Sequence, residues 1–264
     1  MRKKTGNAYF EKLWKEMISH FETFLKTGGQ AELHKFRVSI KKLKSLLVLF
    51  ESGRKRGSLL KRFKPVQKVF KKAGDIRNAQ INLQLSEKFD IRDDVFAEQQ
   101  RQVASKGISE FQQNRKKFKR NLRDCHKDIL SHLDPPNRST IRKFYRTNLE
   151  RINSFLAEPQ FDEALHSCRK RIKFLLYNHN AANKMLKKEV KLDTAYLERL
   201  QEKIGNWHDN IMIIELLSPR KTEDNSLVSR LKSENEKLEI AIRDEGGEFG
   251  YKAARPEPEV MKII

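Results

Sequence analysis

One eleven-residue pattern occurs twice in this chain of 264 residues, 132 positions apart. LHKFRVSIKKL at 33–43 and LHSCRKRIKFL at 165–175 share two leucines, a histidine, an arginine, an isoleucine and a lysine at matching positions. A second pair, VQKVFKKAGDIRNAQ at 66–80 and LERLQEKIGNWHDNI at 197–211, aligns Gly74 with Gly205 at a shift of 131. Because self-similarity of this kind marks a repeated structural unit, the chain is predicted to fold as two related halves.

Both halves are predicted to be α-helical throughout. Apolar residues recur at spacings of three and four, the period of one helix face. This pattern predicts four helices in the first half, with seams that start near residues 10, 33, 66 and 111. Four more follow, with seams that start near residues 141, 165, 197 and 227. Seven prolines and eleven glycines in 264 residues leave long runs of helix-forming residues, which favours an all-α fold.

The boundary between the halves is predicted at DPPN, residues 134–137, because proline breaks the hydrogen-bond ladder of a helix. Residues 1–134 form the first predicted four-helix half and residues 135–245 the second. Residues 246–264 are predicted to be an extended C-terminal tail. The organisation is thus two four-helix units with a tail.

The chain carries a net charge of +21. Residues 1–134 hold 32 Lys and Arg against 15 Asp and Glu, whereas residues 135–264 hold 24 against 20. A surface with such an excess attracts polyanions, among them nucleic acid, polyphosphate and anionic lipid. The first half is expected to dominate this attraction.

The second predicted helix carries a cationic stripe. His34, Arg37, Lys41 and Lys44 follow one another at spacings of three, four and three residues. On a helix this stripe lies about a quarter-turn from the apolar seam that starts at Leu33. A stripe beside the seam is predicted to face the groove next to a neighbouring helix, whereas a stripe opposite the seam would face open water.

The second half repeats the stripe with His166, Arg169 and Lys173, while Arg77 and His208 each follow a seam position in a later helix. A solvent-exposed basic face, the ordinary alternative, needs no fixed order of His, Arg and Lys, so the repetition favours a binding surface. Cations that converge between packed helices cost free energy unless an anion joins them. A polyanion is therefore the expected ligand.

The two repeated histidines are expected to respond to that ligand. Neighbouring cations favour their neutral form, and a bound phosphate would favour the charged form. A hydrogen-bonded helix histidine with a packed ring remains the structural alternative for His34 and His166.

Other basic residues lie outside the stripe and rank below it, because each run taken alone could be a solvated face. Nine basic residues and no acidic one occur between Ser52 and Gly74, and the fourth helix carries basic residues along one side. The lower-ranked candidates for a basic binding surface are Lys68, Lys71, Arg120, Arg123 and Lys170.

Catalysis and metal binding are not expected. Glu163 and His166 have the Glu-x-x-His spacing of di-iron bundles, but no second such pair occurs. Cys125 and Cys168 lack the spacing of a zinc site or a disulfide framework. The longest apolar run, at 46–50, is far shorter than the roughly 20 residues of a membrane span. We therefore expect a cytoplasmic protein without enzyme activity, cofactor or membrane span.

At these residues the sequence resembles the CHAD domain family, the conserved-histidine α-helical domain. The resemblance spans about residues 8 to 245. The family's His-x-x-Arg motif with following basic residues appears as His34, Arg37, Lys41, Lys42, Leu43 and Lys44, and again as His166, Arg169, Lys173 and Tyr177. Its later motif, a glycine followed by Arg or His and then Asp, appears as Gly74 with Arg77, and as Gly205 with His208 and Asp209.

The resemblance implies two antiparallel four-helix bundles related by a pseudo-twofold axis, with the basic helices lining a central pore or groove that binds inorganic polyphosphate. Leu176 stands where the family's second half has Arg, and Asn78 stands where its first half has Asp. The second half is therefore expected to bind less strongly. If Asp209 holds neighbouring basic side chains in place, Asn78 would do so without the charge.

Sequence-nonspecific binding of nucleic acid is the main alternative, because phosphate contacts dominate affinity there too. Binders of single strands usually combine cations with aromatic stacking platforms. Phe36, Phe63, Phe70 and Phe118 fall at or near apolar seams, so most of the sixteen Phe are predicted to be core residues. This favours a phosphate chain without bases.

A scaffold for an acidic protein or a membrane surface ranks third, since no helix has a wide apolar face left over after core packing. A monomer or weak homo-oligomer, associated with polyphosphate granules, is the accompanying expectation.

Overall fold

The computed structural model describes residues 2–53, 58–91, 93–186, 190–217 and 225–254. Within these ranges the regular structure is helical, with no strand, which confirms the predicted all-α class. The chain folds as two compact units, Met1–Asn137 and Arg138–Ile264. The division lies three residues beyond the boundary predicted from DPPN.

The first unit is built on four long helical segments. Its helices are α1 (Arg2–Thr27), α2 (Gln30–Glu51), α3 (Ser58–Arg62), α4 (Lys64–Lys88), α5 (Asp94–Gln113) and α6 (Arg115–His132). Helix α1 packs along α2, α2 along α4, and α4 along α5. Only Asn114 separates α5 from α6; its N–H donates to the Glu110 carbonyl and its carbonyl accepts from the Phe118 N–H. The two helices therefore form one long segment with a local irregularity.

This fourth segment is longer than the sequence predicted. Its apolar seam was expected to start near Phe111, but helix α5 begins at Asp94, where the Asp93 side chain accepts a hydrogen bond from the Phe96 N–H. An Asp at this position satisfies one of the unpaired donors at a helix start. Only Phe96, Ala104 and Phe111 of α5 are buried, so the apolar periodicity that marks a helix is weak here.

Phenylalanine rings fill much of the first core, as the sequence predicted. The ring centroids of Phe21 and Phe36 lie 5.2 Å apart, those of Phe24 and Phe111 5.5 Å apart, and those of Phe111 and Phe118 5.1 Å apart. Such tilted and edge-on pairs are favoured geometries for aromatic side chains. This cluster joins α1, α2 and the long fourth segment.

A tight reversal joins α1 to α2 and makes the two helices antiparallel. Gly28 has φ of 63°, a left-handed conformation that glycine adopts without strain, and its N–H donates to the Phe24 carbonyl at 2.8 Å. The sequence TGG at 27–29 thus ends α1.

The second unit is a ring of four helices with a short fifth. They are α7 (Arg138–Ala157), α8 (Glu163–Leu186), α9 (Thr194–Leu217), α10 (Asn225–Gly247) and α11 (Phe249–Lys252). Helix α7 packs on α8, α8 on α9, α9 on α10, and α10 on α7.

The residues that follow α10 were predicted to be an extended tail, but the first of them are packed. Helix α11 buries Phe249, whose ring centroid lies 6.1 Å from that of Tyr196. The Asp193 N–H donates to the Ala253 carbonyl at 3.1 Å. The prediction failed because one buried aromatic residue is too little to produce a periodic signal. Residues 255–264 lie outside the described residues.

Both cysteines are buried and unpaired with each other. Burial raises the pKa of Cys125 and that of Cys168 to about 12, so both thiols are protonated at neutral pH. Among the described residues, every helix is too short or too charged to cross a lipid bilayer.

The contact between α4 and α5 gives a test of core packing. A Cβ at Gly107 would lie 2.5 Å from Cγ1 of Ile76, a buried side chain that is branched close to its backbone. We predict that Gly107→Ala destabilises the protein by about 1–2 kcal/mol, because the overpacking outweighs the roughly 1 kcal/mol that alanine adds to a helix. Urea unfolding measures the change. The control is Gly247→Ala, where a Cβ meets nothing within 4 Å; an equal effect of both variants would contradict the prediction.

Candidate functional site

An arginine of α2 is fastened to α4 in the first unit. Nη1 of Arg37 donates to the carbonyl oxygen of Phe70 at 2.8 Å, and the guanidinium carbon lies 4.2 Å from the centroid of the Phe70 ring. A Cβ at Gly74 would lie 2.8 Å from the same Nη1. The glycine thus leaves the space in which the guanidinium reaches the helix backbone.

The second unit has the same arrangement between α8 and α9. Nε of Arg169 donates to the carbonyl oxygen of Gln201 at 3.0 Å, and a Cβ at Gly205 would lie 2.5 Å from Nη2 of Arg169. The arginine, the carbonyl and the glycine occupy the positions that the sequence repeat aligns. We call each of these contacts an arginine-glycine clasp: Arg37, Phe70 and Gly74 in the first unit, and Arg169, Gln201 and Gly205 in the second.

The clasps add to the role predicted for the two arginines. Both were predicted as direct ligand contacts, and both are half-buried side chains that also join two helices through a charge-assisted hydrogen bond. A guanidinium has five N–H donors, so one bond to a carbonyl leaves it able to bind an anion as well. Spacing alone could not show this role, because the partner is a backbone atom.

Like charges gather at the clasp of the first unit. Burial and then Arg77 lower the pKa of Arg37, and Asp75 raises it. Burial also lowers the pKa of Arg77. Two guanidinium groups therefore lie close together, partly removed from water, with Asp75 as a nearby carboxylate. Asp75 lies one helical turn before Asn78, so the charge that Asn78 lacks is present on the same face of α4.

The remaining stripe residues of α2 flank this clasp. His34, Lys41 and Lys44 are exposed, whereas Lys42 is half-buried. The seam residues beside the stripe, from Leu33 to Leu47, are buried as predicted. The stripe therefore borders the packed face of α2.

In the second unit, two histidines meet beside the clasp. The rings of His166 on α8 and His208 on α9 stack with centroids 4.4 Å apart and planes 24° apart. Nδ1 of His166 is buried without a hydrogen-bond partner. Burial, then Lys170 and His208, lower the pKa of His166, while Glu163 raises it. The alternative of a hydrogen-bonded histidine therefore does not hold for this nitrogen.

Other histidines of the chain behave differently. His20 pairs with Glu32 at 2.9 Å, and His126 pairs with Glu11 at 2.9 Å. His208 has Asp209 at 3.7 Å from its Nδ1. These three histidines thus each have a carboxylate next to the imidazole ring. His166 differs from them, because Lys170 and Arg169 are among its neighbours.

A cleft of about 490 Å³ opens beside the second clasp. Its lining residues are Arg169, Lys173, Leu176, Tyr177, Glu198, Gln201, Glu202 and Asn206. Burial and then Arg169 lower the pKa of Lys173, and Asp209 raises it. The Asp209 carboxylate therefore favours the charged form of Lys173. The Lys173 ammonium lies 5.8 Å from the centroid of the Tyr177 ring.

The sequence reading missed the acidic side of this cleft. Glu198 and Glu202 were not singled out, although the shift of 131 that aligns Gly74 with Gly205 also aligns them with Gln67 and Lys71. Comparison of the two copies of the repeat could have identified both glutamates, because they replace a neutral and a basic residue.

The lower-ranked basic residues are more scattered. Lys68 lines a separate cleft of about 620 Å³ between α4 and α6, which also contains Asp124 and Asp128. Lys71 is exposed on α4, and Arg120 and Arg123 are exposed on α6. Nζ of Lys170 lies 3.2 Å from Oε1 of Glu163, so these two exposed side chains form an ion pair. Within the described ranges, no three His, Cys, Asp or Glu residues are grouped to hold a metal ion.

The CHAD domain profile matches residues 8–218, and the chain belongs to the CHAD domain family. The match ends before α10, which the resemblance read from the motifs had included. Among curated proteins, none matches the chain.

The crystal structure of the CHAD domain from the plant Ricinus communis is among the solved structures with a similar fold. The TM-score is 0.61 at 15% sequence identity, over 96% of this chain and 92% of the plant chain. The fold is therefore similar across nearly the whole chain.

The clasp of the first unit can be tested with a double-mutant cycle. We predict that Arg37→Ala costs less free energy of unfolding in a Gly74→Ala background than in the wild type, because the added Cβ already displaces the guanidinium. The expected coupling is about 1 kcal/mol, typical of residues in direct contact. Urea unfolding of the four proteins measures it. Gly74→Ala combined with Lys12→Ala, an exposed lysine of α1, is the control and should be additive. Additivity of Arg37→Ala with Gly74→Ala would show that no clasp exists.

Proposed function

We propose that this protein binds inorganic polyphosphate without catalysis, through the cationic face beside the arginine-glycine clasp of each unit. One observation carries the proposal: a partly buried arginine has a second basic side chain next to it in both units. In the first unit Arg77 lowers the pKa of Arg37. In the second unit His166 and His208 stack beside Arg169.

An anion would relieve the repulsion at these positions. Removing a cation from water is unfavourable unless an opposite charge compensates it, and the lowered pKa values of Arg37, His166 and Lys173 reflect that cost. A bound phosphate would attract each of these basic groups and so offset the repulsion between them. The family resemblance, which implies polyphosphate as ligand, supports the same proposal.

Phosphate without bases fits these faces better than nucleic acid does. Sequence-tolerant binders of single strands stack bases on aromatic side chains. Phe70 is covered by the Arg37 guanidinium, and Trp207 is buried with its Nε1–H donating to Glu239. Among the described residues, the exposed large apolar side chains are Val95, Val103, Met212, Ile240 and Tyr251, and none of them lines either cleft. Nucleic acid is the second candidate.

The proposal describes a cytoplasmic binding protein, monomeric or weakly associated, that meets its ligand at polyphosphate granules. The bound phosphate is held by cationic side chains, and no nucleophile or metal ion is assigned to cleave it.

A competition titration tests the ligand. We predict that labelled long-chain polyphosphate stays bound at 300 mM salt and resists single-stranded DNA of equal phosphate concentration. Non-specific binding, which depends on phosphate contacts alone, falls steeply between 50 and 300 mM salt. We also predict that His34→Ala/Arg37→Ala/Lys41→Ala weakens polyphosphate binding at least tenfold.

The matched control replaces three exposed basic residues away from the stripe and from both clefts, Lys12→Ala/Lys26→Ala/Lys106→Ala, which removes the same number of basic side chains. Equal competition by DNA, together with equal binding by the two triple variants, would mean general polyanion binding by an exposed basic surface.

The affinity should also depend on pH through His166. Its pKa is lowered in the free protein and would be raised by a bound phosphate, so binding takes up protons. Affinity is then highest below the free-state pKa and falls as the pH rises through the bound-state pKa. We predict a fall from about pH 5.5 to 7.5, around the ordinary histidine pKa of about 6.5, that is smaller in His166→Gln.

Isothermal titration with long-chain polyphosphate in buffers of different ionisation enthalpy measures this proton uptake. The control His132→Gln removes an exposed histidine of α6 and should leave the pH dependence as in the wild type. An unchanged profile in His166→Gln would remove His166 from the site.

A further inference from the structure

The two clasps allow the units to be compared residue by residue. Since Phe70 and Gln201 both accept from the arginine, and Gly74 and Gly205 both face it, α4 and α9 correspond at a shift of 131. This correspondence makes Gln67 equivalent to Glu198, and Lys71 equivalent to Glu202.

The equivalent faces differ greatly in charge. In the first unit they carry Arg37, Lys41, Lys44, Lys71 and Asp75, a net charge of +3. In the second unit the residues at these positions and at the Gln67 equivalent are Arg169, Lys173, Leu176, Glu202, Asn206 and Glu198, a net charge of zero. All six of the latter line the cleft of about 490 Å³.

Glu198 and Glu202 lie where they would interact with a ligand in the cleft. Both are exposed, and they are one helical turn apart on α9, at positions i and i+4. Within the described part of the chain, neither forms an ion pair with a lysine or arginine of the surface. Because both glutamates line the cleft, their charge opposes an incoming phosphate there and offsets part of the attraction of Arg169 and Lys173.

We propose that Glu198 and Glu202 are specificity-determining residues that restrict how much phosphate charge the second unit accepts. The inference rests on the proposed function and assigns different affinities to the two units: the first unit binds the phosphate chain tightly, and the second binds it weakly. The second unit thus differs in two ways: it has Leu176 where the family has an arginine, and its two glutamates repel phosphate. Repulsion of unwanted ligands is a common means of specificity.

The test converts one glutamate to its counterpart in the first unit. Glu202→Lys should tighten binding of long-chain polyphosphate about three- to tenfold at 150 mM salt. It should also steepen the slope of log affinity against log salt by about one, since each additional phosphate contact adds roughly 0.7–0.9. The control Glu215→Lys makes the same charge change at an exposed position of the same helix, outside the cleft, and should leave the slope unchanged.

Two further variants separate repulsion from new attraction. Glu202→Gln removes the negative charge without adding a cation and should give a smaller gain with little change in slope. The reciprocal variant Lys71→Glu should weaken binding and flatten the slope, while Lys106→Glu, on exposed α5 surface, should not flatten it. All replaced side chains are exposed, and thermal unfolding monitored by circular dichroism verifies that each variant is folded.

The outcomes distinguish this inference from the function on which it rests. If the wild type binds no polyphosphate, the proposed function fails. If the wild type binds, and loses affinity with Arg37→Ala, but Glu202→Lys equals Glu215→Lys, only the role of the glutamates is overturned. Gains in Glu202→Lys and Glu202→Gln together with a loss in Lys71→Glu would establish it.

Discussion

The structure depends on a hydrogen bond between an arginine side chain and a backbone carbonyl of the next helix, made twice. In each unit a glycine one turn beyond the carbonyl lets the guanidinium lie against the helix. A bond from a charged donor to a carbonyl in partly buried surroundings is stronger than a neutral one. The contact therefore joins the two helices that carry the proposed phosphate-binding side chains, and it links the fold of each unit to its site.

The cost of this arrangement appears in the charges around it. Arg37 with Arg77, and His166 with Lys170 and His208, are basic groups held close together by packing that the apolar seams stabilise. Buried seams contribute free energy in proportion to the apolar area removed from water, which can offset such repulsion. A protein that binds a polyanion has a reason to keep this repulsion, because the ligand relieves it.

Much of the fold could be predicted from apolar periodicity, and the exceptions have physical causes. Helix α5 buries only three residues, and α11 is a single turn fixed by Phe249, so neither produces a strong periodic signal. The sequence placed the basic groups of the candidate site on their helices, but it could not show which groups they contact. Spacing identified Arg37 as a basic group near a groove, but its carbonyl partner on Phe70 carries no side-chain signal.

The sequence by itself determined the helical class, the repeated motifs and the cationic stripe, because these follow from the order and period of side chains along one chain. The tertiary structure alone decided which charges meet. It brought Asp75 to Arg37 and stacked His166 on His208, contacts between residues 38 and 42 positions apart in the chain. Electrostatic interactions depend on distance in space and on removal from water, and both are set only when the helices pack.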